Sequence, residues 1–305
     1  MSTKPTFAKT TNGACRAGVA NDGQKLARLY ARSSFSSSRK CRGKRCTSGT
    51  CCTKASSSKD EASSTNVRYE GIALPTLLNN IPHTREIRRF FYDDATESVL
   101  RAIKDDRNVR MKVFTEFPEM NVEGDVFRAG TLLEMVRTMA TELARMERKD
   151  GSGGKQRVKL CVQGSMGTGV FQGLPLALSG ISRLIDLMDW EEDVAERISN
   201  GAIGKDHAKD DEDVFILICP QNIVGYSILP YMEEMMEVAG NRPMILLNPK
   251  LGDIQSAGNV MSIRGRQGRM EFANSWEEIY HFRLLYRKPF FFPIYGALRK
   301  SYSSA

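Results

Sequence analysis

Apolar positions in the second part of the chain alternate between short continuous runs and helix-spaced stripes. The runs predict four strands: Val109 to Phe117, Arg157 to Gln163, Val214 to Cys219 and Pro243 to Leu247. The stripes predict four helices: Ile87 to Ile103, about Asp125 to Arg148, Leu174 to Met188 and Ile223 to Ala239. Because strand, polar turn and helix repeat in this order, right-handed crossovers are expected. The predicted fold is α/β, a three-layer Rossmann-like, mostly parallel sheet with helices on both faces.

The last part of the chain has a different pattern. Apolar and polar residues alternate from Tyr280 to Tyr286, which is the period of a strand. We therefore expect the chain from Met261 onward to form an antiparallel C-terminal extension at the edge of the sheet. The aromatic stretch Phe290 to Tyr295 is flanked by prolines, which disfavour a helix. Its rings either cover the sheet or form a contact with a partner protein.

Charge divides the chain of 305 residues into two parts. The formal net charge is +8, but residues 1–66 hold 13 Lys and Arg against 3 acidic residues, a local net charge of +10. Residues 67–305 hold 31 basic and 33 acidic residues, a net charge of −2. This distribution excludes a broadly cationic nucleic-acid binder. No apolar run approaches the roughly 20 residues that span a bilayer, so no transmembrane segment is predicted.

The first 66 residues have the composition of a transit peptide. They are rich in serine, basic and poor in acids and in large apolar side chains, so they are expected to be disordered on their own. We predict a disordered organelle transit peptide and linker over 1–66 and a single α/β domain over 67–305; a permanent disordered tail is the alternative. The leader cysteines lack the spacing of a zinc site: Cys41, Cys46, Cys51 and Cys52. Cys161 and Cys219 lie in strand-like runs and are predicted to be buried thiols.

A glycine-rich turn is the first candidate ligand site. In open α/β sheets ligands bind beyond the carboxyl ends of the strands. The turn follows a predicted strand there and consists of small residues whose N–H groups could face an anion: Gly164, Ser165, Gly167, Thr168 and Gly169. It matches neither the Walker pattern nor G-x-G-x-x-G. Nucleotide or phosphate is thus one candidate ligand, and a purely structural turn is the alternative; no cofactor is predicted.

Amides and arginines supply the other candidate contacts. Gln221, Asn222 and Asn248 follow predicted strands and could bind a polar ligand, or they could cap helices and satisfy loop backbone. Arg264 and Arg266 would point the same way on a strand and could clamp an anion. A solvated edge strand protected by its charges is equally compatible with these arginines.

No catalytic or metal site is predicted. The three histidines, His83, His207 and His281, are not spaced for metal binding, and none lies beside a candidate nucleophile. His281 is interpreted as a packed or exposed strand residue rather than a base. The carboxylates from Asp206 to Asp213 belong to a charged connection, Glu191 to Asp213, and are interpreted as a solvated loop.

Several strings give the body of the chain a more specific likeness. The sequences QGSMGTGVFQGLP, PQNIVG, ILLNP and RGRQ lie within a similarity that covers nearly all of residues 70–300. In these strings the chain resembles a plastid domain-of-unknown-function family, whose best-known relatives are the plant low-photosystem-II-accumulation factors. No catalytic residues are established in that family, so the resemblance transfers none.

The resemblance implies a nuclear-encoded chloroplast protein in the stroma or at the stromal face of the thylakoid membrane. It would associate peripherally with thylakoids and assist photosystem II assembly without catalysis. Its partners would be assembly proteins or a chlorophyll-binding core antenna subunit, and not nucleic acid. A related domain is appended to a plastid adenylate kinase. The alternative function is therefore a nucleotide- or phosphometabolite-binding enzyme that uses the turn at 164–169.

Overall fold

The computed structural model describes the backbone of 67–69 and 72–74 and, beyond these, residues 83–106, 109–122, 124, 126–149, 151, 153–166, 173, 178–255, 263–286 and 294–303. The helices are α1 (Arg85–Lys104), α2 (Ala129–Arg145), α3 (Ile181–Asp186), α4 (Leu229–Ala239) and α5 (Arg266–Asn274). The strands are β1 (Val67–Tyr69), β2 (Ile72–Leu74), β3 (Arg110–Glu116), β4 (Val158–Val162), β5 (Ile198–Ala202), β6 (Val214–Ile218), β7 (Gln221–Ile223), β8 (Met244–Leu247), β9 (Lys250–Gln255), β10 (Glu277–Tyr286) and β11 (Ile294–Ser301).

A seven-stranded sheet forms the centre of the fold. Its strand order is β11-β10-β3-β8-β6-β4-β5, and every neighbouring pair is parallel except β10 with β11. Two short pairs lie outside it, antiparallel β1 with β2 and parallel β7 with β9. The predicted α/β class and the mostly parallel sheet with an antiparallel C-terminal strand are confirmed.

Helices cover both faces of the sheet because the central strands are apolar on both faces. All five side chains of β6 are buried, and they alternate between two hydrophobic clusters. Val214, Ile216 and Ile218 pack with α1, α2 and α3 on the first face. Phe215 and Leu217 pack with α4 and the end of α5 on the second face.

Local signals fix where the helices begin and end. The hydroxyl of Thr84 accepts a hydrogen bond from the backbone N–H of Ile87 and caps α1 at its first turn. Gly240, with a φ of 57°, ends α4 in a conformation that favours glycine. The guanidinium of Arg110 at the start of β3 donates to the carbonyls of Met236, Gly240 and Arg242, and so ties the end of α4 to the sheet.

The antiparallel C-terminal strand is confirmed, but the predicted extension from Met261 onward is wrong in two details. The segment that carries Arg264 and Arg266 is a turn followed by α5, and not a strand. β10 is parallel to β3, so only β11 is antiparallel. Both errors have one cause: a helical crossover after β9 carries the chain back across the sheet, and such a crossover makes the next strand parallel.

The charged connection of residues 191–213 also departs from the prediction. It contains β5, the outermost strand beside β4, and buried Glu212 rather than only a solvated loop. Glu212 lies 2.8 Å from the ammonium of Lys159, and their side chains are 4% and 5% exposed. A lysine in a predicted apolar strand and an acid in a predicted loop thus form one buried ion pair.

The two body cysteines are buried, as predicted. Cys161 on β4 and Cys219 after β6 are free thiols with almost no exposed surface. Burial raises the pKa of both thiols, that of Cys219 to about 12. At neutral pH they are therefore protonated and unreactive in the folded domain.

Candidate functional site

The strand order reverses between β4 and β6. From β4 the chain crosses the first face to β5, whereas from β6 it crosses the second face to β8, in the opposite direction. Connections that diverge on opposite faces leave a crevice beyond the carboxyl ends of the two strands, where ligands of open α/β sheets bind. This topology identifies the edge at residues 163–166 and 219–222 as the first place to examine.

Hydrogen bonds join the two sides of this crevice. The side-chain Oε1 of Gln163 accepts from the backbone N–H of Gln221 at 3.1 Å. Gly164 and Ser165, which follow Gln163, are thereby held close to Gln221. Met166 and Gly173 exchange two backbone hydrogen bonds of 2.8 Å and close the base of the turn. Gly167, Thr168 and Gly169 lie outside the described residues, so anion binding by the turn stays a prediction.

Asn222 is used by the fold itself. Its Oδ1 accepts from the hydroxyl of Ser227 at 2.9 Å and from the N–H of Ile228 at 3.1 Å, just before α4. Its Nδ2 donates to the carbonyl of Leu251 at 2.7 Å. These contacts satisfy loop backbone, which is the structural alternative for this residue.

Asn248 has a similar structural role at the end of β8. Its Oδ1 accepts from the N–H of Thr115 at 2.7 Å, and its Nδ2 donates to the carbonyl of the same residue at 3.2 Å. The side-chain amide thus replaces a backbone peptide and extends the pairing of β8 with β3. The residue has a φ of 47°, a left-handed conformation that asparagine tolerates better than most residues.

Gln221 differs from the other two amides. The residue is 1% exposed, and neither end of its carboxamide has a hydrogen-bond partner among the residues that the structure describes. Buried polar groups are normally paired, so an orphan carboxamide requires an explanation. Gln221 lies in the wall of a cavity, and this cavity is the strongest candidate for a site.

The α5 cavity, as we name it, has a volume of about 460 Å³ and lies on the second face of the sheet. It is bounded by β3, β8, β9, β10 and α5. Its wall combines apolar and polar side chains: Lys112, Phe114, Glu116, Gln221, Leu246, Pro249, Lys250, Leu251, Asp253, Met270, Ala273, Asn274, Glu278 and His281, together with Gly252. A volume of this size suits a small molecule.

A carboxylate and an imidazole face each other in the cavity wall. Nδ1 of His281 lies 3.2 Å from Oε2 of Glu278, and the ring packs against Phe114 with centroids 5.3 Å apart. Residues three apart in a regular strand point to opposite faces, but the pairing of β10 with β3 shifts register between Glu278 and Tyr280. This bulge places Glu278 and His281 on one face.

The surroundings determine the charge of these groups. Burial alone would raise the pKa of Glu278, but hydrogen bonding from His281 and the charges of His281 and Lys300 hold it below its ordinary value. Burial lowers the pKa of Lys112, whose ammonium donates to the carbonyl of Ala273 at 2.9 Å. Glu278 is therefore a carboxylate at neutral pH, and His281 has an acceptor for its Nδ1 proton.

The predicted arginine pair is not assembled as expected. Arg264 lies in the turn before α5, and Arg266, in the first turn of α5, has its Nε 3.5 Å from Oδ1 of Asp253. The buried arginine of this segment is Arg269, which donates to the carbonyls of Gly252 and Arg264. The strand geometry that supported a two-arginine clamp is absent, while anion binding by either side chain stays a prediction.

A larger groove lies between α1 and α2, with a volume of about 930 Å³. Its charged side chains pair with one another, as Arg85 does with Glu134 at 3.3 Å and Arg145 with Glu142 at 2.9 Å. This internal pairing leaves the groove with less charge to offer a ligand.

The sequence did not single out Lys112, Glu278 or His281 of the α5 cavity as site residues. The available signal was the adjacent apolar pair Ile279 and Tyr280, which interrupts the alternation of the strand and marks the bulge. Among the side chains that the structure describes, no group of three His, Cys, Asp or Glu is placed to hold a metal ion. In the same residues, no helix is both long and apolar enough to cross a membrane.

Together, the fold and the α5 cavity define the class of protein. It is an α/β domain with a mostly parallel sheet, one antiparallel C-terminal strand and a polar cavity beside the carboxyl ends of its central strands. The chain belongs to the family described as "Domain of unknown function (DUF1995)", whose model matches residues 85–305. No solved structure matches the chain significantly.

Proposed function

We propose that the protein is a chloroplast factor that assists photosystem II assembly by binding, without catalysis, at the stromal face of the thylakoid membrane. The observation that carries this proposal is the set of strings QGSMGTGVFQGLP, PQNIVG, ILLNP and RGRQ, all within the matched domain. They resemble the low-photosystem-II-accumulation factors. The serine-rich leader with a net charge of +10 supports import into an organelle independently of that resemblance.

The β10–β11 hairpin provides a surface suited to a protein partner. β11 is one of the two edge strands of the sheet, with a neighbour on only one side among the described strands. Leu285, Tyr295 and Leu298 on this hairpin are 42%, 70% and 51% exposed. Exposed apolar side chains beside a strand edge are typical of contact surfaces. Phe290 to Pro293, the rest of the predicted aromatic contact, lie outside the described residues.

A null mutant tests the assembly role. We expect photosystem II to fall in abundance while the transcripts of its subunits stay unchanged, and a normal level of the complex would reject the proposal. A fluorescent fusion of the full chain should accumulate in chloroplasts in a trimmed form. Full-length protein resident in the cytosol would contradict the predicted localisation.

The contact surface has its own test by complementation. The double variant Tyr295→Ser/Leu298→Ser should fail to restore photosystem II and should lose thylakoid partners in affinity purification. Leu187→Ser is the matched control, because Leu187 is 72% exposed but follows α3. Equal rescue by both variants would exclude the hairpin as the partner surface.

A second candidate function is a nucleotide- or phosphometabolite-binding enzyme. The position of Gly164 and Ser165 at the crevice between β4 and β6 favours it, because this is where α/β folds bind nucleotides. A ligand that binds the native state raises its melting temperature. We therefore expect ATP, AMP or inorganic phosphate to raise the melting temperature of the full chain, and the absence of any rise would reject this candidate.

A further inference from the structure

The orphan carboxamide of Gln221 indicates a ligand that the fold does not itself supply. A buried donor and acceptor without partners destabilise the folded state, and a leucine of similar size would avoid this cost. The amide offers an N–H donor and a carbonyl acceptor side by side. Its complement is a group that presents an acceptor and a donor side by side, as an amide or a heterocycle edge does.

His281 adds a second requirement. Its Nδ1 faces the carboxylate of Glu278, which can only accept, so Nδ1 carries a proton. Nε2 is buried and without a partner in the described part of the chain, and in the neutral ring it is an acceptor. A ligand that satisfies it must bring an N–H or O–H donor.

The charged side chains of the α5 cavity have partners within the protein. Three carboxylates line it against two ammonium groups: Glu116, Asp253, Glu278, Lys112 and Lys250. Both ammonium groups also donate within the protein, Lys112 to the carbonyl of Ala273 at 2.9 Å and Lys250 to Oδ1 of Asn121 at 2.6 Å. The three carboxylates have cationic partners as well, Glu116 with Arg283 at 3.9 Å, Asp253 with Arg266 at 3.5 Å and Glu278 with Lys300 at 3.4 Å. The unpaired groups of this wall, the carboxamide of Gln221 and Nε2 of His281, do not require a charged ligand.

Apolar side chains complete the wall and suit a flat ring. Phe114, Leu246, Leu251 and Met270 contribute to it, and Phe114 already packs against the imidazole of His281. We propose that the α5 cavity binds a neutral nitrogen heterocycle of nucleobase, nicotinamide or pteridine type. Its donor–acceptor edge pairs with Gln221, and a ring N–H or O–H donates to His281. Neither the described residues Gly164 and Ser165 of the glycine turn nor Tyr295 and Leu298 of β11 line this cavity.

The test uses the full chain and ligand-observed NMR with adenine, uracil, nicotinamide and lumazine as neutral probes, and with AMP and inorganic phosphate as anionic ones. We expect at least one neutral probe to bind at millimolar concentrations. Gln221→Leu should weaken that binding roughly tenfold or more because it removes both partners of the edge. It should leave the ligand-free melting temperature equal to or above that of the wild type.

Gln156→Leu is the matched control. Gln156 is also buried with an unpaired side-chain oxygen, but it lies at the amino end of β4, whereas the cavity lies beside the carboxyl ends of the strands. His281→Phe is a second variant, which keeps a ring beside Phe114 and removes the acceptor. Binding lost in Gln221→Leu or His281→Phe and kept in Gln156→Leu supports the site. The proposal is overturned if only AMP or phosphate binds, if no neutral probe binds, or if binding survives in Gln221→Leu and His281→Phe.

Discussion

The buried ion pair between Lys159 and Glu212 gives a quantitative test of how the sheet edge is built. The ammonium and carboxylate are 2.8 Å apart in a site that is 5% and 4% exposed. The carboxylate also accepts from the hydroxyl of Ser199 and the backbone N–H of Lys209, each at 3.1 Å. Each buried charge is therefore compensated by the other, and neither could be solvated by water if its partner were removed.

Removal of either partner should cost far more than removal of both. Lys159→Leu leaves the carboxylate buried and uncompensated, and Glu212→Leu does the same to the ammonium. Each single variant should lose about 3–5 kcal/mol of unfolding free energy, whereas the double variant should stay within about 1 kcal/mol of the wild type or exceed it. The energies of two contacting residues are then strongly non-additive.

Gly201 couples the neighbouring strand to the same pair. A Cβ at this position would lie 2.6 Å from Cε of Lys159 and 3.4 Å from its Nζ. Gly201→Ala should therefore displace the ammonium and cost about 1–3 kcal/mol. In the Lys159→Leu/Glu212→Leu background no Cε is present, so the same substitution should cost much less.

Urea unfolding of the full chain, followed by circular dichroism and by the fluorescence of Trp190 and Trp276, measures these free energies. The matched control is Arg157 with Asp211, a neighbouring pair whose side chains are 47% and 56% exposed. Its removal should cost at most about 1 kcal/mol. The reasoning is refuted if the double variant of the buried pair loses the sum of the two single losses.

Three further predictions concern other contacts of the fold. Asn248→Gly keeps the left-handed backbone but removes the hydrogen bonds to Thr115, so we expect a loss of about 1–2 kcal/mol in thermal or urea unfolding; unchanged stability would mean that the amide is dispensable. Burial alone would raise the pKa of Glu119, but hydrogen bonds from His83 hold it below its ordinary value of 4.5. Its contribution to stability is thus present above pH 4.5 and is lost as pH falls through the lower native pKa; Glu119→Gln should flatten this acid limb of the stability curve, and an unaltered limb would contradict the assignment. Arg110→Met should loosen the end of α4 and speed amide exchange there, with little change in α1 as the internal reference.

The sequence predicts the central sheet because burial on both faces has a simple signature. Val214 to Cys219 and Pro243 to Leu247 are continuous apolar runs, and the structure places β6 and β8 within them. Helix boundaries were less accurate. The helix predicted from Ile223 begins at Leu229, because residues 221–223 pair with β9. Such a pairing depends on a distant segment, which local periodicity does not contain.

Elements without an apolar signature could not be predicted. β5 has the sequence Ile198–Ala202 with Ser, Asn and Gly inside it, and it is a strand only because β4 lies beside it. In α5, arginines interrupt the helical pattern of apolar residues in the sequence. Their alternation in this segment suggested a strand instead. In both cases tertiary contacts outweigh local preference.

The candidate site was predictable in position but not in composition. The rule that ligands bind at carboxyl ends of parallel strands led to Gln221, and the structure leaves this amide unpaired in a cavity. The same rule could not distinguish Gln221 from Asn222 and Asn248, because only the folded structure shows which of these side-chain amides is hydrogen-bonded to the backbone. His281 was missed because a bulge decides which face it occupies, and the only local sign of that bulge is the adjacent apolar pair Ile279 and Tyr280.

The two buried thiols allow the opening of the central sheet to be measured. Cys161 and Cys219 sit on or next to neighbouring central strands, so an alkylating reagent reaches them only in molecules whose sheet has opened. The labelling rate of each cysteine, read by mass spectrometry of its peptide, reports how often its strand separates from its neighbours. Equal rates would mean that the centre of the sheet opens as one cooperative unit. Because both cysteines are native, the measurement needs no substitution.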